Sequence, residues 1–320
     1  MTAAADVERR ARPDRRLGQA WTPAQRLKNA LLRWLIAGTI AVTDRLPARL
    51  LLAGARVAGR AAARLLVPLR RRAERTLRSV LGETGDPARL AADCLAAVGE
   101  NAGYTLLLRR PGIRARTLVE LSPATTELLR GVLAKGRGAV FVSAHLGPFE
   151  LVAAAVAELG HRPAVVVRES YDPKLNALVD QHRLARGVEV IHRGDPGCPS
   201  RIVRALREGR PVGFLPDLPG RVRTHLVTLM GRPSVIAAGP VRIARRAGCP
   251  LLVGTLQPLS PPTPAPFRLI LGEISHAGAD DATVAQRLAD VLSAAIRRAP
   301  AQWPWMAAKF PSLQNKLTQR

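Results

Sequence analysis

The stretch AVFVSAHLGPFELVAAAVAELG, residues 139–160, sets His145 and Glu150 where an apolar run gives way to a helical pattern. An imidazole titrates near neutral pH and accepts a proton from a hydroxyl, and a carboxylate on its second ring nitrogen fixes the tautomer and stabilises the imidazolium. Five positions apart, the two side chains would be misaligned within one regular helix. A turn followed by a helix start lets the carboxylate reach the ring. No Ser-x-Gly elbow or reactive-cysteine pattern accompanies the pair, so the hydroxyl to be deprotonated is one the substrate brings. Direct acyl transfer to that hydroxyl fits this plan. The same residues also fit a purely structural role, with Glu150 complementing a helix N-terminus and His145 satisfied within a turn.

The elements that must hold the pair are legible around it. Residues 139–143 read as a strand, Gly147 permits a tight turn, Pro148 suits a helix start, and Gly160 suits its end. Further short apolar runs stand at 164–167, 188–191, 212–215, 251–256 and 267–271, most of them separated by stretches long enough for a helix. Strands alternating with helices predict an α/β fold, a mixed and mostly parallel sheet covered by helices, with its site at the carboxyl ends of the strands. Helical spacing also marks 86–108 and 123–134.

Ahead of this unit the chain changes character. Residues 1–24 are polar. Residues 25–72 read as two helices broken near Leu46-Pro47, with Arg49, Arg56, Arg60 and Arg64 set among apolar residues and a closing Arg70-Arg71-Arg72. Arginines along an apolar helix suit a segment lying in the interface of an anionic membrane, although the same pattern serves a helix packed on a protein core. From Trp34 to Thr43 the chain holds ten uncharged residues, half of the roughly 20 that a spanning helix needs. The first 29 residues lack the apolar centre of a cleaved signal peptide. The organisation expected is a tail at 1–24, an amphipathic membrane-associating segment at 25–80, an α/β unit at 81–312, and a second tail at 313–320.

The chain carries 49 Lys and Arg against 24 Asp and Glu, a net +25, and residues 1–80 hold +13 of it (18 against 5). An acidic partner follows from this, whether nucleic acid, an anionic membrane or an acidic carrier protein. With 3% aromatic residues, little is left for base stacking, and no nucleic-acid-binding signature is present. Cys94, Cys198 and Cys249 lie far apart, giving neither a disulfide framework nor a metal site. A reducing compartment is their simplest home.

Five blocks in order over about residues 45–310 resemble the bacterial lysophospholipid-type acyltransferases, in the branch of the late lipid A and phosphatidylinositol mannoside acyltransferases. They are His145-Leu-Gly-Pro-Phe-Glu150; HRLARGVEVI, with Arg183 and Gly187; ALREGRPVGFLPD, ending at Asp217; MGRPSVIAAGPVRIARRAGCPLL; and PAQWPWMAAKF. Pro148 stands where relatives carry a small polar residue, and Leu229-Met230 replaces an aromatic pair. The resemblance implies a glycerolipid acyltransferase-like fold and transfer of a fatty acyl chain from acyl-ACP or acyl-CoA to a lipid or glycolipid hydroxyl, with no metal and no bound cofactor. It makes His145 the base and Glu150 its orienting partner. Arg183 becomes an oxyanion or acceptor-phosphate ligand, Asp217 an acidic substrate-site residue, and Arg221, Arg223 and Arg232 the contacts to a phosphorylated headgroup. The partners implied are an anionic membrane, the carrier protein or CoA donor and the lipid acceptor, at the cytoplasmic face of the inner membrane in a peripheral or monotopic mode. A catalytically silent lipid-binding member of the same fold is the alternative.

Overall fold

Runs such as AVFV and AVVV are apolar at every position, which suits strands covered on both faces; AVFV is buried throughout at the centre of the sheet, whereas AVVV, next to its edge strand, is fully buried only at Ala164. The computed structural model describes residues 22–82, 85–169, 172–260 and 262–310. Apart from residues 22–24, the first expected tail lies outside this range, as does the second.

A seven-stranded sheet is built from β1 (Val119–Glu120), β2 (Ala139–Val142), β3 (Ala164–Val167), β4 (Glu189–His192), β5 (Pro211–Phe214), β8 (Leu251–Pro258) and β9 (Phe267–Glu273). Its order is β1-β9-β8-β2-β5-β3-β4. All neighbours run parallel except β8 and β9. The α/β architecture with a mixed, mostly parallel sheet read from the sequence is therefore present. The strands β6 (Thr224–Leu229) and β7 (Arg232–Ala237) form a separate antiparallel hairpin.

Because side chains alternate along a strand, β2 feeds two cores. Val140 and Val142 join α3 (Val67–Leu81), α9 (Cys198–Arg207), α10 (Gly239–Ala247) and α11 (Asp281–Arg298) on one face. Ala139 and Phe141 join α6 (Pro123–Leu133) and α7 (Glu150–Ala157) on the other. The long α4 (Pro87–Leu108), capped by the Asp86 carboxylate on the Arg89 N–H, contributes to both. A short α5 (Ala115–Leu118) precedes β1, and α8 (Pro173–Ala185) connects β3 to β4 without burying a residue of its own.

At the N-terminal end the sequence predicts two helices and the structure has three: α1 (Pro23–Thr43), α2 (Ala48–Leu65) and α3. The extra break falls at Leu66, two residues before Pro68 in the first turn of α3, because proline lacks the N–H that would continue the ladder of α2. Among the described residues no helix is long and apolar enough to cross a membrane. Along α1, Leu27, Leu31, Trp34 and Leu35 are each more than 60% exposed, and Arg33 pairs at 2.8 Å with Asp172, the N-cap of α8.

The contact between α2 and α4 is made by small residues. A Cβ on Gly99 would lie 2.6 Å from the Gly59 Cα and 2.7 Å from the Ala55 carbonyl oxygen, and one on Gly59 would lie 2.6 Å from the Ala96 carbonyl oxygen. Backbone meets backbone there, with nothing flexible to give way. Gly99→Ala raises helix propensity by about 1 kcal/mol, yet it should destabilise the protein by about 1–3 kcal/mol through overpacking. Thermal unfolding checks this, and a raised melting temperature would refute the tight crossing.

The β6–β7 hairpin was not anticipated. Its turn residues, Met230 and Gly231, both have positive φ, 55° and 79°, as a type I′ turn requires. Asn or Asp signals that turn in a sequence; methionine does not. Here the left-handed methionine is offset by burial, at 4% exposure, and by donation of its N–H to the Ser293 hydroxyl at 2.9 Å.

Candidate active site

The strands β2 and β5 are parallel neighbours, with Val142 opposite Phe214. The segments leaving their carboxyl ends therefore start side by side, and the Ser143 N–H still donates to the Phe214 carbonyl at 3.0 Å. Two residues later the chain reaches His145, and three residues past Phe214 it reaches Asp217. The Asp217 carboxylate receives the His145 backbone N–H at 2.9 Å on Oδ2 and faces the ring Nδ1 at 2.8 Å through Oδ1. The Trp303 indole N–H also donates to Oδ2, at 2.8 Å. An ionised carboxylate only accepts, so Nδ1 carries the hydrogen and Nε2 keeps its lone pair for a substrate.

The Asp217 side chain is fully buried while that of His145 is 30% exposed. Burial opposes the imidazolium, but the charge of Asp217, its hydrogen bond and the more distant charge of Glu150 outweigh burial and hold the His145 pKa above its ordinary value. Burial likewise pushes the Asp217 carboxyl upward, and the His145 charge with the hydrogen bonds from His145 and Trp303 holds it below the usual range. The turn that carries His145 from β2 to α7 is fixed by Gly147, at φ 65°, whose N–H donates to the Gln302 carbonyl at 3.1 Å. Phe149 packs edge-on against the imidazole with centroids 5.1 Å apart.

The partner expected from sequence spacing is thus placed differently. Glu150 begins α7, and its carboxylate takes a bidentate ion pair from Arg183 near the end of α8, Nε to Oε2 at 3.1 Å and Nη2 to Oε1 at 2.5 Å. Contact with the His145 ring is made by Asp217, because the neighbouring parallel strand delivers it there directly. Asp217, expected at a substrate, has no exposed side-chain surface to offer one. Arg221 and Arg223 are exposed on the segment between Asp217 and β6. Arg232 stands at the opposite end of the hairpin, where it pairs with Leu229 while Ala237 pairs with Thr224. Five residue steps at 3.3–3.4 Å put it roughly 17 Å away along the strand. Its Nε is buried without a hydrogen-bond partner among the described residues.

An apolar cleft of about 630 Å³, its open mouth included, runs beside this turn. Phe141, Phe149, Val152, Val156, Val165 and Phe214 line it, and the Glu150–Arg183 pair forms its polar edge. Apolar side chains lining a concave slot with a few polar groups at its edge are the usual make-up of a ligand site. Chemically, the arrangement offers a histidine base backed by a buried carboxylate, next to a slot for an apolar chain.

Trp303 is the residue that sequence reasoning undervalued. The tryptophans of PAQWPW suit either the core or a membrane-edge belt, with the core the better expectation; Trp303 is buried, at 1% exposure, but nothing in the motif signals that the indole would anchor a carboxylate. Trp303→Phe keeps an aromatic ring and removes one donor from a buried charge. It should cost about 1–3 kcal/mol of stability and weaken the grip on His145, read as a change in the pH profile of turnover that a packing defect alone would not give.

A comparison with curated proteins gives no match. The family model of the bacterial lipid A biosynthesis acyltransferases, in contrast, matches residues 22–312, nearly the whole chain. This sequence therefore belongs to that family and is an acyltransferase that joins an acyl donor to a lipid acceptor.

Proposed function

We propose that the protein transfers a fatty acyl chain from an acyl thioester, acyl-ACP or acyl-CoA, to a hydroxyl of a membrane glycolipid or lipid of the lipid A or phosphatidylinositol mannoside type, with no metal or bound cofactor. The observation that carries this reading is the His145–Asp217 pair at the ends of adjacent parallel strands, beside an apolar cleft. In the reaction His145 Nε2 takes the acceptor hydroxyl proton as its oxygen attacks the thioester carbonyl, while Asp217 stabilises the imidazolium. The C–O bond forms, the C–S bond breaks, and the proton passes to the departing thiolate. Arg183, held by Glu150, is placed to define the polar edge of the cleft that receives the acyl chain.

The helices within residues 25–80 serve as the membrane-associating part, and 81–312 carries the chemistry. Exposed leucines and Trp34 on α1, with the arginines of α2 and α3, suit a peripheral position on an anionic cytoplasmic leaflet. The test supplies labelled acyl-ACP or acyl-CoA and a total polar lipid extract to the full chain, with mass spectrometry of the products. A labelled lipid with one donor establishes the reaction and names the acceptor. Absence of product from both donors, with a folded protein that floats with anionic vesicles, would turn the reading to lipid binding without turnover.

A further inference from the structure

The segment that carries Asp217 leads into a second recess. Between Val222-Arg223 and one face of α10 lies an open groove of about 690 Å³, its mouth included, lined by Val222, Arg223, Ala238, Arg242, Ile243 and Arg246. Backbone hydrogen bonds fix its walls. The Ala238 N–H donates to the Arg223 carbonyl at 2.9 Å, and the Ala237 N–H donates at 3.2 Å to the carbonyl of Pro216, next to Asp217. Arg242 and Arg246 stand four residues apart on α10, so one turn of helix stacks them on the same face.

Three arginines line this groove, and no acidic residue does. On the same helix Arg245 is ion-paired with Asp281 of α11, whereas Arg242 and Arg246 have no carboxylate partner among the described residues. Like charges one turn apart disfavour a helix, and Arg242 lies in the half of α10 where the helix dipole also disfavours a cation. The first turn of α10 holds no acidic residue to offset either effect. An anion of more than one charge relieves both. Guanidinium forks match phosphate oxygens bidentately, and a phosphomonoester carries about −1.5 to −2 at neutral pH, more than a single carboxylate supplies.

We propose that this groove is a phosphomonoester-binding site, formed by Arg223, Arg242 and Arg246 and joined to the His145–Asp217 pair by residues 216–223. The phosphate could be borne by a membrane lipid or by a soluble nucleotide, and two probes separate these sources. One is flotation of the full chain with phosphatidylcholine vesicles containing phosphatidic acid, against vesicles with an equal charge of phosphatidylglycerol, a phosphodiester. The other is equilibrium binding of adenosine 3′,5′-bisphosphate.

The informative variant is Arg242→Gln with Arg246→Gln, which keeps good helix formers. Its control is Arg204→Gln with Arg207→Gln, the same loss of charge at exposed positions on α9. At least about a tenfold loss for one probe in the groove variant, with the control within about twofold of the wild type, supports the site. Loss of the preference for phosphatidic acid over phosphatidylglycerol assigns it to a lipid, and loss of bisphosphate binding assigns it to a nucleotide. If groove and control variants bind both probes alike, whether undiminished or equally weakened, the proposal falls. Neither readout requires turnover, so failure here is distinguishable from failure of the acyl-transfer reading.

Discussion

Asp217→Asn is expected to lower kcat by about 10³- to 10⁴-fold while leaving the fold in place, as when an amide replaces the buried carboxylate behind a catalytic histidine. The amide can present its NH2 to Nδ1, which turns the imidazole hydrogen to Nε2 and removes the lone pair that the acceptor hydroxyl needs. The direction of the pH dependence is an independent check. In the wild type Asp217 holds the His145 pKa above its ordinary 6.5; the proposed mechanism needs the free base, so kcat/KM should rise with pH through that elevated value. In Asp217→Asn the raising charge is gone while burial still opposes the imidazolium, so the residual activity should titrate at lower pH. A variant with the wild-type pH profile would remove Asp217 from the mechanism.

The same pair makes stability pH-dependent in both directions. The raised His145 pKa contributes stability that is fully present below 6.5 and is lost as pH rises through its folded value. The depressed Asp217 pKa contributes above its ordinary 3.8 and is lost as pH falls through its folded value.

His145→Ala should reduce turnover by about 10² to 10⁴, the usual contribution of a positioned base. Binding should persist, because the cleft lining does not include His145. The expected pattern is a fall in kcat with KM little changed, measured by single-turnover acyl transfer. Wild-type turnover in this variant would exclude His145 as the base.

Much of this arrangement was legible in the sequence, and what was not has identifiable causes. The strand ending at Ser143 and the turn at Gly147 could be read because an all-apolar run, a left-handed glycine and a proline are strong local signals. The 212–215 run and the acidic residue after it were equally visible. What no local pattern contains is the order of strands in the sheet, and it is that order, β2 beside β5, that brings Asp217 to His145. Glu150 looked like the partner because it is near in the chain. Its carboxylate is instead matched by Arg183, whose guanidinium takes both oxygens. The β6–β7 hairpin escaped because its left-handed turn is stabilised by Ser293, a contact 63 residues away.

The hydrogen bonds that define the dyad span 72 residues between His145 and Asp217 and a further 86 between Asp217 and Trp303. Such long loops must close before their contacts return anything, so this part of the molecule belongs to the late events of folding. During synthesis the amphipathic helices α1 to α3 leave the ribosome before the sheet, and Trp303 follows it. Those helices thus exist well before the indole anchor does, and the His145–Asp217 pair is complete only once the segment carrying Trp303 has closed over the sheet.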